Sequence, residues 1–148
     1  MRNDSRLSRM LHVLIHMDQH DGPITSDMAG RMLGTNPVVA RRTMASLKAA
    51  GFLTSEKGHG GGWRLARPLD RITLRDVHDA LGAPRVFALG LADDRPDCLV
   101  EQAVNDALSA ALAEAEAVLL QRFGEVTLAA LSADFARRLA GRTGPAPT

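Results

Sequence analysis

Between Gly34 and Pro37 the chain has room for only two residues, and that spacing constrains its fold more than any other feature. Gly34 stands where a helix usually ends on a left-handed residue, whereas Asn36 and Pro37 are an N-cap and a first-turn residue. One helix must therefore stop and another start across Gly34-Thr35. The incoming helix begins at Thr25, with Thr25, Ser26 and Asp27 as cap and first-turn residues and Met28, Ala29, Met32 and Leu33 on its apolar face. The outgoing helix runs from Pro37 to a stop at Gly51. On it Val39, Thr43, Met44 and Leu47 are expected on the inner face, and Val38, Arg41, Arg42 and Ala45 on the others. Two helices joined so tightly have the sequence shape of a helix-turn-helix.

An earlier helix is expected from about Ser5 to His20, where Leu7, Met10, Leu11, Leu14 and Met17 make one apolar stripe, and Gly22-Pro23 stops it. After Gly51 the period changes. Phe52 to Lys57 and Trp63 to Ala66 read as two short strands around the tip Gly58-His59-Gly60-Gly61-Gly62, a β-hairpin. A helix-turn-helix followed by such a hairpin is a winged helix. Thr73-Leu74-Arg75-Asp76 resembles a capping box with Asp in place of Glu, and opens a helix to about Leu81 with Leu74, Val77 and Leu81 inward. Gly82-Ala83-Pro84 breaks it. The longest helical pattern runs from Cys98 to about Phe123, with Val100, Val104, Ala107, Leu108, Ala111, Leu112, Ala115, Val118 and Leu119 in one wide stripe. The small N-terminal part is too small to cover that stripe, so it predicts a partner, with a symmetric homodimer as the default. A last helix, capped by Thr127, carries Leu128, Leu131, Phe135 and Leu139. The expected fold class is mainly α with a small β-hairpin. Residues 1–82 form a winged helix-turn-helix domain, 83–97 a connector, 98–140 the dimerisation helices and 141–148 a disordered tail.

Composition fits this reading. The chain has 148 residues, 45% hydrophobic and 24% charged, which matches a globular protein of one domain or one domain plus an appendage. Its single cysteine, Cys98, excludes an internal disulfide and a four-cysteine metal site, and suits a reducing compartment. The apolar run Val86–Ala92 is too short to cross a bilayer, and Met1–Arg9 reads as no secretory signal, so no membrane partner and a cytoplasmic location are expected. Residues 1–70 carry ten Arg and Lys against six Asp and Glu, a balance of +4, whereas residues 71–148 carry eight against eleven, or −3. The basic half suits a polyanion.

The candidate site residues follow from that half. The start of the helix from Pro37 is expected to face base edges in the major groove. Arg41 and Arg42 have the fork geometry for guanine O6 and N7, Val38 suits a thymine methyl, and Thr35, Asn36 and the first helical amides suit phosphate. In the wing, glycines allow close backbone approach, and Lys57, His59 and Arg64 place basic groups where a narrow minor groove would stabilise them. His59-Gly60-Gly61-Gly62 also matches the oxyanion loop of some esterases, but no Gly-x-Ser-x-Gly elbow accompanies it, and no enzyme is expected. Trp63 is assigned to packing. His12, His16 and His20 have chelating spacing, yet share a line with Ser5 and Arg9 and read as a solvated face, so no metal site is expected. His78 has no evident partner. Cys98, at a helix start that favours a thiolate and near Asp93, Asp94 and Asp97 that oppose it, is the candidate redox sensor.

Taken in order, Thr35-Asn36-Pro37-Val38-Val39 with Arg41-Arg42, then Leu47-Lys48-Ala49-Ala50-Gly51-Phe52-Leu53, then Lys57 to Ala66, then Ile72 to Val77, resemble the Rrf-two family of bacterial winged-helix transcription regulators. The resemblance spans about residues 5–131. It implies a dimer through the long helix, binding to a palindromic double-stranded DNA operator, and usually repression. The chain departs from the family's cluster-binding members, which carry three closely spaced cysteines before the long helix. Here Cys98 stands alone at the last of those positions, so three protein thiolates cannot come from one chain, and no cofactor is expected. The reading is a dimeric DNA-binding regulator, a repressor, thiol-responsive through Cys98, with the small-molecule effector unknown. The alternative is an interaction module that assembles through the long helix without DNA. Salt separates the two, because DNA binding weakens steeply through counterion release.

Overall fold

The computed structural model describes residues 4–142, which form six α-helices and one two-stranded antiparallel sheet; five of the helices and the sheet gather around one core, to which the long fifth helix contributes no residue. The expected fold class is what it shows. Helix α1 spans Arg6–Asp18 and buries Met10, Val13, Leu14 and Met17, with Leu7 and Leu11 packed at the margin. The Ser5 side chain makes no cap bond; the Asp4 carboxylate instead accepts the Arg6 backbone N–H at 3.0 Å. The hydrogen bonds from Arg6 hold that carboxyl down at about 2.

Helix α2 spans Ser26–Leu33, and α3 spans Pro37–Ala49. The Thr25 hydroxyl accepts the Met28 N–H at 3.2 Å, and the Asn36 side chain accepts the Val39 N–H at 2.9 Å. Gly34 takes the left-handed conformation between them. One expectation fails. The inner face of α3 is Ala40, Met44 and Leu47, all fully buried, whereas Val39 is 43% exposed and Thr43 is half-buried, its hydroxyl donating to the Val39 carbonyl. Positions 40, 44 and 47 share one line on a 3.6-residue helix. The buried line therefore runs through the small Ala40 rather than Val39.

Strands β1 (Leu53–Glu56) and β2 (Gly62–Leu65) pair Leu53 with Leu65, Thr54 with Arg64, Ser55 with Trp63 and Glu56 with Gly62. Side chains alternate across such a ladder, so Leu53, Ser55, Trp63 and Leu65 turn one way and Thr54, Glu56 and Arg64 the other. Trp63 packs on the core margin, and its N–H and C=O exchange hydrogen bonds with Ile24 at 2.8 and 2.9 Å, tying the hairpin to the loop before α2. A 3-10 turn, Leu69–Arg71, leads to α4, Leu74–Ala80, which opens on a complete Thr73–Asp76 capping box. Val77 lies inward as expected; Leu74 and Leu81 reach only the core margin, and His78 is buried where no apolar periodicity pointed.

Helix α5, Leu99–Glu125, has 27 residues and buries none of them in the single chain. Helix α6, Leu128–Arg142, is capped by the Thr127 hydroxyl, which accepts the Ala130 N–H at 3.2 Å, and turns back onto α1, where Leu128 enters the common core. Of the tail expected to be disordered, Gly141 and Arg142 are the last residues of α6, because the helical run from Leu128 continues through them; residues 143–148 lie outside the described residues. No helix among the described residues is long and apolar enough to cross a membrane.

Candidate nucleic-acid interface

Burying Ala40, Met44 and Leu47 turns the opposite side of α3 to solvent. That side presents Val38 at 58% exposure with Val39, Arg41, Arg42 and Ala45, so three expected contact residues, Val38, Arg41 and Arg42, lie on one outward surface. Val39 joins them, and the missed signal was the Ala40-Met44-Leu47 spacing, which fixes the buried line and hence its complement. Arg41 Nε stands 3.5 Å from the Ser26 hydroxyl, across the start of α2. The other two expected residues serve the turn as well. The Thr35 N–H donates to the Gly30 carbonyl at 2.9 Å, and the Asn36 Oδ1 caps Val39.

Gly30 makes this geometry possible. A Cβ there would stand 2.9 Å from the Thr35 carbonyl oxygen, so only glycine lets the chain cross α2 at this point. Sequence periodicity passed over it because a glycine inside a helical pattern carries no apolar signal.

The hairpin lies beside the end of α3. Lys48 Nζ donates to the Ser55 hydroxyl at 2.7 Å, joining α3 to β1. Arg67 donates to the Ala50 carbonyl at 3.3 Å and lies over the Phe52 ring, 5.1 Å from its centre. These two basic residues brace the wing. At its tip Lys57 and His59 are exposed, and Gly58 and Gly60 adopt positive φ. Arg64, the third expected wing contact, is on the outer face but paired: its Nε donates to Glu56 Oε1 at 2.9 Å, diagonally across the strands. The exposed surfaces of α3 and the wing therefore gather most of the +4 balance of the N-terminal half beside an uncharged turn.

The remaining candidates lie elsewhere. Cys98 is half-buried at the N-cap of α5, where its carbonyl accepts the Gln102 N–H at 3.0 Å and its side chain makes no cap bond. His78, which showed no partner in the sequence, has Nε2 3.0 Å from the Pro84 carbonyl and Nδ1 3.3 Å from Asp79 Oδ1, with its ring edge-on to Phe123 of α5. The histidine line divides. The His12 and His16 rings stack at 4.6 Å between centres and His16 meets Phe135 of α6, whereas His20 lies beyond α1 with Nδ1 3.3 Å from the Gly22 carbonyl. His16 is thus not part of a wholly solvated face.

A short-turn helix pair with an outward second helix and a two-stranded wing defines a winged-helix protein. The chain matches the model of the Rrf2 family, described as iron-dependent transcriptional regulator, over residues 3–134. It belongs to that family, whose members are transcription regulators and not enzymes. It is 33% identical over 107 residues to YwnA of Bacillus subtilis (strain 168), named as an HTH-type transcriptional regulator, an alignment covering 71% of this chain and 77% of that protein. A solved protein of Lactobacillus plantarum, described as a transcriptional regulator, superposes with a TM-score of 0.75 at 23% identity over 89% of this chain and 90% of its own. CymR of B. subtilis, described as the global cysteine regulator, superposes with a TM-score of 0.59 at 20% identity over 90% of this chain and 97% of its own. Both likenesses concern the fold. Iron in the family's description raises the question of a metal or cluster. The residues present do not fit an iron–sulfur cluster or an iron site with three or more protein ligands: the chain has one thiol, and among the described residues no three His, Cys, Asp or Glu side chains are grouped to hold a metal ion.

Proposed function

We propose that this chain is a dimeric, sequence-specific DNA-binding regulator that acts as a cytoplasmic repressor at a palindromic operator. The observation that carries the reading is the outward face of α3, Val38, Val39, Arg41 and Arg42, at the end of a turn that glycine and capping residues hold rigid. Such a face offers arginine forks for guanine edges and methyl groups for thymine. Thr35 and Asn36 would flank a phosphate, with Lys57, His59 and Arg64 meeting the flanking groove. Residues 1–82 would form the DNA-binding part, 83–97 the connector and 98–140 the dimerisation helices. The unburied apolar residues of α5, Leu99, Val100, Val104, Leu108 and Val118, support a second copy as the partner.

The test is selection of bound duplexes from a random pool, followed by affinity measurement across a salt series. A selected inverted repeat, with log affinity falling by about 0.9 per neutralised phosphate per log unit of salt, is expected. Failure to enrich any sequence, or affinity indifferent to salt, overturns the reading in favour of the assembly module.

Thiol responsiveness through Cys98 has a supporting position, because a half-buried thiol at the start of α5 would transmit any oxidation to the dimer helix. Peroxide should weaken DNA binding by the wild type and spare Cys98→Ser. Equal loss in both removes Cys98 from the mechanism.

A further inference from the structure

Helix α1 carries a second cluster that DNA binding does not use. His12 and His16 are one turn apart, and their ring centres stand 4.6 Å from each other at an interplanar angle of 42°. Two imidazoles bound to one zinc-class ion through Zn–N bonds of about 2.0–2.1 Å stand about 5 Å apart, so the pair is already near the required bite. Neither ring has a hydrogen-bond partner among the described residues. His16 is half-buried with its ring 6.1 Å from that of Phe135, which restrains it from one side, while His12 is exposed and leaves the approach open. His20, the third member of the line, is turned to the Gly22 carbonyl beyond the helix end and does not join.

We propose that His12 and His16 chelate one divalent ion of the zinc class, with its remaining positions filled by water. The geometry favours an ion with affinity for imidazole over a hard cation such as magnesium, because no carboxylate is grouped with the pair. Metal ligation needs neutral imidazole, and burial, followed by the proximity of His12, lowers the pKa of His16 and so favours that form. The site would clamp the second half of α1 where α6 rests on it. It is independent of the DNA-binding reading and involves no thiol.

The test is calorimetric titration of tag-free full chain with Zn2+ at neutral pH. About one ion per chain is expected. His12→Gln, at an exposed position that leaves the fold intact, should weaken binding tenfold or more, His16→Gln likewise, and His20→Gln should change it less than twofold. Zinc should also raise the melting temperature of the wild type but not of His12→Gln. No zinc binding by the wild type, unchanged affinity in His12→Gln, or an equal loss in His20→Gln overturns the proposal.

Discussion

Two glycines four positions apart hold the helix-turn-helix for different reasons, and substitution separates them. Gly30 is helical, and an added Cβ would meet the Thr35 carbonyl oxygen at 2.9 Å, with Asn36 C and Pro37 N at 3.4 Å. These are backbone atoms of the turn itself, so they can yield only by moving the start of α3. Overpacking costs about 1–3 kcal/mol, whereas replacing glycine by alanine inside a helix returns about 1 kcal/mol of propensity. The net loss for Gly30→Ala is therefore about 0–2 kcal/mol, a fall in melting temperature of up to about 6 °C for a chain of this length. Gly34 has open space around its Cβ position but a φ of +64°, so Gly34→Ala pays about 1–2 kcal/mol in backbone strain and nothing in contact. Asparagine tolerates the left-handed region, so Gly34→Asn should recover most of the loss, whereas Gly30→Asn should be no better than Gly30→Ala. Thermal unfolding with DNA-binding titration on the same preparations reads both effects, and displacement of α3 should make Gly30→Ala lose affinity out of proportion to its stability. A Gly30→Ala protein that melts at or above the wild type and binds DNA normally would refute the close-approach argument.

Other expectations follow from the same geometry. Arg41→Ala and Arg42→Ala should each weaken binding to a selected operator by about 1–3 kcal/mol and relax preference at one base, with melting unchanged; uniform loss across sequences would make them phosphate contacts. Glu56→Gln should release Arg64 and strengthen DNA binding at low salt while altering stability by less than about 1 kcal/mol, because the pair is exposed; unchanged affinity would remove Arg64 from the interface. Leu108→Glu should convert a dimer to monomer in sedimentation without unfolding the chain, since Leu108 is 42% exposed; a monomeric wild type would end the dimer reading. Burial lowers the folded-state pKa of His16, so the folded protein binds fewer protons there than the unfolded chain as pH falls through the ordinary histidine range. Stability should therefore drop on acidification from about pH 7 to the lowered pKa, and His16→Gln should flatten that slope.

The elements were legible where local chemistry decides them. Thr25, Gly34, Asn36-Pro37 and the Thr73–Asp76 box each mark a boundary with a single side chain or backbone state, and each lies where it was read. Long-range packing was less legible. Val39 looks like a core residue in isolation, and only the burial of Met44 and Leu47, which share a line with Ala40, shows that Ala40 takes that place. The Arg64–Glu56 pair depends on strand register, which spacing alone left open by one residue either way. His78 lies under the start of the connector, a contact with Pro84 that no periodicity encodes.

One joint couples the two halves of the chain, and it bears on how a dimer would set the spacing of its reading heads. The Leu74 N–H donates to the Val126 carbonyl at 3.0 Å, and the Leu128 N–H donates to the Ile72 carbonyl at 2.8 Å, so residues 72–74 and 126–128 form a two-rung antiparallel bridge centred on Thr73 and Thr127. Thr73 caps α4 and Thr127 caps α6, while the bridge pins the end of α5 between them. Next to it His78 meets Phe123 and the Arg75 side chain approaches Gly124. Two backbone hydrogen bonds in a partly buried setting resist bending far more than the connector 83–97, which has no regular structure. Rotation of α5 about its far end would therefore be delivered to α4 and α1 as a rigid movement. The connector and Cys98 lie at the other end of the same helix, so a signal that changes how two α5 helices cross would reach α3 through the Thr73–Thr127 bridge. Weakening that joint, as Leu74→Pro does by removing the N–H of one rung at a first helical position where proline is tolerated, should leave dimer and operator contacts in place yet blunt the preference for half-site spacing. An unchanged spacing preference in that variant would place the coupling elsewhere in the fold.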